Sequence, residues 1–262
     1  MLVTRGVEGF ITVDTSITER PSRPTVAVAG HAPVPGVTNL ILDQQLAARL
    51  VLTHLLELGH RDIAFIKGQA ASSDSATRWA AICAVSKELG VRIRPELVVQ
   101  IEEDLTTPQI GYPYAKELLA RQKPFTALFA YNDLSAIGAI WAFQEAGLCV
   151  PQDISVVGFD DVPLAVFSNP QLTTVRQPLQ QMGQIAAKTL IDQIEGKEKF
   201  QAEIVIEPAL IVRASTGAAP RISSSRMESS LEVAVLRRGK SMTHTSSKTT
   251  TGPAKSRLQK DR

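Results

Sequence analysis

Cysteine, aromatic residues and long apolar runs are all scarce in this chain, and each scarcity argues against a class of protein. Two cysteines in 262 residues, Cys83 and Cys149, cannot build a disulfide scaffold, and no paired Cys-x-x-Cys stands ready for a metal. Both are expected to be small buried thiols in a reducing compartment. No uninterrupted apolar run approaches the ~20 residues of a membrane span, and the opening MLVTRGVEGF has no apolar signal-peptide core. A cytoplasmic location is expected, with no membrane partner. His-Glu-x-x-His, Gly-x-Ser-x-Gly and the Walker glycine loop are absent as well. Of the histidines, His54 and His60 are accounted for by a helix face and a helix end. No catalytic residue, metal or cofactor is therefore expected, and the chain does not read as an enzyme.

What is present is a globular composition: 44% hydrophobic residues, 5% aromatic, and a mean hydropathy of +0.03. Aliphatic packing must dominate such a core, and the length suits one large or two modest domains. The net charge of +2 hides an asymmetry. Residues 218–262 hold ten Lys/Arg against three Asp/Glu, whereas residues 1–217 hold eighteen against twenty-three. The globular part is mildly acidic and carries no electrostatic footprint for a phosphate backbone. Fourteen of the last 45 residues are Ser or Thr and none is aromatic, so this stretch reads as a disordered basic tail. A short edge strand at Leu231–Leu236 and a basic arm for nucleic acid are the competing readings of it.

Strand and helix patterns alternate along the rest. Strands are expected at Gly9–Val13, Thr25–Ala29, Thr38–Leu42, Ile63–Ile66, Val98–Ile101, Thr126–Ala130, Ile154–Phe159, Glu203–Ile206 and Ala209–Val212. Helices are expected over Gln44–Leu58, Ala76–Leu89, Gly111–Arg121, from Asn132 or Asp133 to Gly147, and Leu179–Glu195. The first should bury Leu46, Leu50, Val51, His54, Leu55 and Leu58, with Gly59 ending it. This alternation argues for doubly wound parallel sheets.

The most informative four residues are Gly158-Phe159-Asp160-Asp161. They close a β-branched run, with the glycine read as a tight exit. Two carboxylates then emerge at the carboxyl edge of a strand, where open α/β sheets place ligands. An Asx turn with two solvated acids is the plain alternative. As an acid/base dyad the pair is poor, because neighbours on an extended strand point to opposite faces.

The run from Asn132 to Gln177, NDLSAIGAIWAFQEAGLCVPQDISVVGFDDVPLAVFSNPQLTTVRQ, closely resembles the effector-binding domain of LacI/GalR-type bacterial transcription regulators. Four more segments agree in order and spacing: GVEGFITVD (6–14), HLLELGHRDIAFIKG (54–68), the interval from Gly68 to Arg78, and RQPLQQMGQIAAKTLIDQIEG (176–196). The resemblance covers roughly residues 3–216. It implies a two-lobed, periplasmic-binding-protein-like α/β fold with a cleft between the lobes. One lobe would take residues 1–60 plus 178–200, the other 61–177 plus 201–217, with the tail at 218–262.

The resemblance also implies a site. Arg78, Asn132 and Asp160 would contact a small effector, with Gln177 at a crossover and Ser72 and Asp74 in the loop before Arg78. Leu105 falls where relatives often carry a stacking aromatic, and Asp14 ends the first strand. Asp161 would hold the loop or lobe interface. Each has a structural alternative: a solvated helix arginine for Arg78, and a helix cap for Asn132, although Asp133 is the better cap. Two acceptors, Asp74 and Asp160, favour a neutral sugar-like effector over an anion. The expected function is the ligand-sensing part of a dimeric regulator, with a sugar-binding transport protein as the alternative. Operator DNA would bind through a helix-turn-helix that these residues do not contain. The likeness starts in the middle of the upper lobe, so that lobe is expected to be incomplete. Its first, internal strand would be absent, leaving Gly9–Val13 with an unpaired edge.

Overall fold

The computed structural model describes residues 6–15, 17–29, 33–103, 107–197 and 200–220. Leu105, the Leu231–Leu236 segment and nearly all of the basic tail lie outside them. Two sheets form the frame. The smaller contains β1 (Phe10–Val13), β2 (Thr25–Val28), β3 (Val37–Leu42) and β9 (Glu203–Ile206), in the spatial order β1-β2-β3-β9 and all parallel. The larger contains β4 (Ile63–Lys67), β5 (Val98–Gln100), β6 (Ala127–Ala130), β7 (Ser155–Asp160), β8 (Thr173–Arg176) and β10 (Ala209–Ile211), ordered β10-β8-β7-β6-β4-β5. Its strands are parallel except for β10, which runs antiparallel at one edge.

Among the described residues there are six α-helices: α1 (Gln44–Glu57), α2 (Ser73–Glu88), α3 (Tyr112–Ala120), α4 (Asp133–Glu145), α5 (Pro163–Phe167) and α6 (Leu179–Ile194). Alternation of side chains along each strand decides which face each helix covers. Ile63 and Phe65 of β4, Phe129 of β6 and Val157 of β7 pack with α1 and α2 on one face. Ala64, Ile66, Leu128 and Val156 pack with α3 and α4 on the other. Strand β8 and helix α5 were not expected; Thr173–Arg176 is too short and polar to show periodicity, though its first three residues are buried.

The chain passes between sheets at Asp43, at Gln177–Pro178 and at Glu207–Pro208. Two expected boundaries therefore move. Helix α1 packs on the large sheet with α2 rather than joining the first 60 residues. Strand β9 pairs with β3, so residues 203–206 belong to the small sheet and not to the 201–217 stretch of the other lobe.

The buried face of α1 is also rotated from expectation. Gln44, Ala47, Ala48, Val51, Leu52 and Leu55 are buried, in an i, i+3, i+4, i+7 phase, whereas Leu46 and Leu50 are only half-buried. Gly59, at φ 92°, ends the helix as expected. Cys83 is half-buried, but Cys149 is exposed, contrary to the expectation of two buried thiols.

His60 does more than end a helix. Fully buried, it bonds Thr126 Oγ1 through Nδ1 (2.9 Å) and both Ser155 Oγ (2.9 Å) and the Gly217 carbonyl (3.0 Å) through Nε2. Burial holds its pKa below the ordinary value. The ring thereby ties the segment after β10 to the amino edge of the large sheet.

The small sheet is less well covered. Among the described residues β1 pairs only with β2, and Ile11 and Val13 on it are 43% and 66% exposed. Helix α6 packs on β1 and β2 but buries only Met182 and Ala186, with Leu179 and Ile191 open to solvent. Such a region opens at low cost. Amides of β1 are expected to exchange at least ~100-fold faster than those of β4, β6 and β7, a gap of a few kcal/mol in opening energy. Hydrogen-exchange mass spectrometry or NMR checks this, and equal protection in the two sheets would refute it.

Candidate functional site

Parallel strands end at the same edge, so the loops after β4, β6, β7 and β8 converge at the carboxyl side of the large sheet. Three helix N-termini open there too. Asp43 caps α1 by accepting from Leu46 N (2.8 Å), Ser72 caps α2 by accepting from Ser75 N (3.2 Å), and Asn132 caps α4 by accepting from Ser135 N (2.9 Å). In return the Asn132 N–H donates to Ser135 Oγ, completing a capping box. Asn132 rather than Asp133 is thus the cap, because only the residue before the first helical turn has extended backbone, here φ −148°.

Arg78 is the centre of this edge. It lies in the second turn of α2, which starts at Ser73 and not near residue 76, and shares the buried phase of Ser75, Ile82 and Val85. At 4% exposure its charge must be satisfied internally. Nη2 bonds Asp74 Oδ2 (2.5 Å), Nη1 bonds the Tyr131 carbonyl (2.6 Å) and Nε bonds Gln44 Oε1 (3.2 Å). Gln44 Nε2 in turn donates to Asp74 Oδ1 (2.9 Å). The guanidinium carbon lies 3.5 Å from the centroid of the Phe159 ring, and Tyr131 flanks it at 4.7 Å. A narrow pocket beside Arg78 is lined by Lys67, Gly68, Ser75, Trp79 and Tyr131. A Cβ on Gly68 would stand 2.5 Å from the Tyr131 ring, so only glycine fits there.

Asp160 ends β7 beside this group, and Gln177 Nε2 donates to its Oδ1 (2.5 Å). Burial raises the Asp160 pKa, while the Arg78 charge and the Gln177 bond oppose the rise. Asp160 and Asp161 have φ of 110° and 57°, so the backbone turns left-handed there instead of continuing extended. Asp161 faces elsewhere, accepting from Arg213 Nη2 (2.5 Å) and Arg176 Nε (2.6 Å). Burial alone would raise its carboxyl, but those two bonds outweigh it and hold it below the usual range. Gly158 is not an exit. It sits within β7, where a Cβ would stand 2.3 Å from Asp133 Oδ1.

The structure therefore brings Arg78, Asp74, Asp160 and Gln177 together, with Asn132 and Ser72 at the adjoining helix caps. Asp74 is consumed by Arg78 and Gln44 and is not a free acceptor. Asp14 is exposed at φ 44° at the end of β1, with no described contact to this group. Sequence reasoning missed Gln44, Tyr131 and Phe159 as members. Gln44 was findable, since it stands three residues before Ala47 on the buried face of α1.

It also missed Asp133. This carboxylate, with no solvent exposure, accepts from Thr174 Oγ1 (2.5 Å) and Val162 N (2.8 Å). Burial, with the neighbouring Asp160 and Asp161 charges adding to it, pushes its pKa from 3.8 to about 7 against those two bonds. Such a rise corresponds to about 4 kcal/mol between protonation states. The folded state holds this proton more tightly than the unfolded one, so the stabilisation is full below pH ~4 and is lost as pH rises through ~7. Asp133→Asn keeps an acceptor for Val162 and a donor for Thr174. Urea unfolding between pH 4.5 and 8 is expected to show that loss in the wild type and a much flatter profile in the variant. Parallel profiles would show that Asp133 does not titrate in this range.

A family model described as a periplasmic binding protein-like domain matches residues 52–216. The HTH-type transcriptional regulator MalR of Streptomyces coelicolor is 36% identical over 233 residues, covering 84% of this chain and 67% of that protein. The HTH-type transcriptional repressor PurR of Erwinia tasmaniensis is 39% identical over 184 residues, 70% of this chain and 53% of that protein. The chain thus spans about half to two thirds of the length of these relatives. Among solved structures, the CelR–cellobiose complex superposes with a TM-score of 0.72 at 28% identity, covering 82% of this chain and 67% of that one. A LacI family regulator from Enterococcus faecium with bound ribose gives 0.69 at 26% identity, covering 83% and 82%.

Proposed function

The chain belongs to the LacI family of transcription regulators, and from that premise we propose that it senses a small, neutral, sugar-like effector at the carboxyl edge of the large sheet. The observation that carries this reading is the Arg78 cluster. A guanidinium already paired with Asp74 keeps unused N–H donors but little net charge, and Asp160 beside it supplies an acceptor. Donors and an acceptor without a surplus cation suit vicinal hydroxyls better than a carboxylate or phosphate. Cellobiose and ribose are the ligands named for two structural neighbours, which fits the same chemistry. Asn132 would offer its Nδ2 amide, since its Oδ1 is spent on the cap.

Signalling follows from topology. Three chain passages join the two sheets, and an effector bridging them would favour one angle between them over another. In the complete regulator that change would reset the spacing of helix-turn-helix segments on operator DNA, as a repressor does. Dimerisation is required for such spacing. Helix α5 and the adjacent α4 present Phe167, 81% exposed, with Leu164, Val166 and Trp141 also open.

Two experiments test the reading. In thermal denaturation against a panel of mono- and disaccharides, ribose and hypoxanthine, a neutral sugar is expected to raise Tm with concentration as RT ln(1 + [L]/Kd) requires. Asp160→Ala should abolish that shift while leaving the ligand-free Tm within a few degrees. An undiminished shift in the variant, or stabilisation by no neutral sugar, would reject the site. For assembly, analytical ultracentrifugation is expected to show a dimer at micromolar concentration that Phe167→Glu converts to monomer. A monomeric wild type, or an unaffected variant, would reject α5 as the contact.

A further inference from the structure

We propose that Asp133 is the positioning residue for Asp160, acting through the backbone of the Asp160–Val162 loop and carrying a proton whose presence is felt at the binding edge. The proposal rests on the reading of Asp160 as an effector contact. Its starting point is the backbone. Two consecutive non-glycine residues, Asp160 and Asp161, are held at φ 110° and 57°. Left-handed conformations of this kind are unfavourable for residues with a Cβ and persist only where surrounding contacts over-determine them.

The contacts can be named. Asp161 is fixed on one side by Arg176 and Arg213. On the other side the next residue, Val162, gives its N–H to Asp133 Oδ2 at 2.8 Å. Asp133 is anchored in its own right as the first residue of α4, and its Oδ1 takes the Thr174 hydroxyl at 2.5 Å. Gly158 lets the carboxylate lie against β7 with no room for a side chain between. One carboxylate thus joins the start of α4, strand β8 and the loop that aims Asp160. None of these bonds reaches the binding edge itself, so its influence there passes through the loop.

The arrangement tolerates either protonation state. When Asp133 is ionised, Thr174 donates to it. When it is protonated at Oδ1, that proton donates to Thr174 Oγ1, and the Thr174 hydroxyl turns toward the Val175 carbonyl 3.5 Å away. The Val162 bond to Oδ2 survives in both. Charges facing Asp133 are Asp160 and Asp161 from the β7 loop, the latter balanced by Arg176 and Arg213, and the α4 N-terminal dipole. An ionised Asp133 therefore repels the Asp160 carboxylate, and a neutral one does not. Burial places the exchange between these states close to neutral pH.

The test needs no effector, so its failure is separate from failure of the sugar panel. In the full chain labelled with carboxyl-13C aspartate, the Asp160 resonance is followed from pH 4 to 9, and exchange of the Val162 amide is measured alongside. Wild type is expected to show a second inflection in the Asp160 curve near pH 7. Asp133→Asn should erase that inflection yet leave Val162 exchange within ~threefold of wild type. Asp133→Ala should speed Val162 exchange by ~tenfold or more, the loss expected for a hydrogen bond to a charged acceptor. Thr174→Val, which spares the Val162 bond, should move the inflection to higher pH, and this variant decides the matter if the alanine variant fails to fold. An Asp160 curve unchanged by Asp133→Asn, or an inflection unmoved by Thr174→Val, overturns the proposal.

Discussion

A guanidinium that is 4% exposed has to find its partners inside the protein, because breaking a buried ion pair costs about 3–5 kcal/mol. Much of the local architecture follows from meeting that demand at Arg78. Helix α2 must start early enough to place Asp74 one turn ahead of it, which the Ser72 cap does. Helix α1 must begin where Gln44 faces α2, as its buried phase places it. The backbone after β6 must turn the Tyr131 carbonyl inward, and β7 must place the flat Phe159 ring against the cation. Elements that meet all four conditions converge on one sheet edge, the edge proposed here to receive the effector.

The same constraint shapes the electrostatics of the cleft. Asp74 pairs with Arg78 and offsets its charge. Asp160 and Asp133 are both pushed toward their neutral forms by burial, whereas Asp161 is held ionised by two arginines. Three carboxylates within thirty residues of sequence are thus shifted in two opposite directions, set by what each touches. That edge presents hydrogen-bonding groups with paired charges, and Asp133 stands just behind the Asp160–Val162 loop.

Much of this was legible in the sequence, and the losses have physical reasons. The alternation of elements and the resemblance around Asn132–Gln177 carried the two parallel sheets, since long periodic segments announce themselves. Arg78 and Asp160 were legible through the family motif, and the buried phase of Ile82 and Val85 independently turns Arg78 inward. Strand β8 was not legible, because four residues reading Thr-Thr-Val-Arg are buried by their neighbours and not by their own hydrophobicity. Gly158 was misread as a turn, since close approach of a distant carboxylate leaves no local signal. Asp133 was passed over as a helix cap for a similar reason. Its partners Thr174 and Val162 lie 41 and 29 residues away, and only the fold brings them together.

The central claim is that the Arg78 cluster receives a neutral polyol because its cation is already spent. Calorimetric titration with matched pairs, glucose and glucuronate, galactose and galacturonate, mannose and mannuronate, tests it most directly. Each acid differs from its sugar only in exchanging a hydroxymethyl for a carboxylate. The account predicts that for the ring that binds, the neutral sugar is favoured by ~tenfold or more, or 1.4 kcal/mol. Equal or tighter binding of the acid would mean that Arg78 remains available as a cation, and would contradict the account.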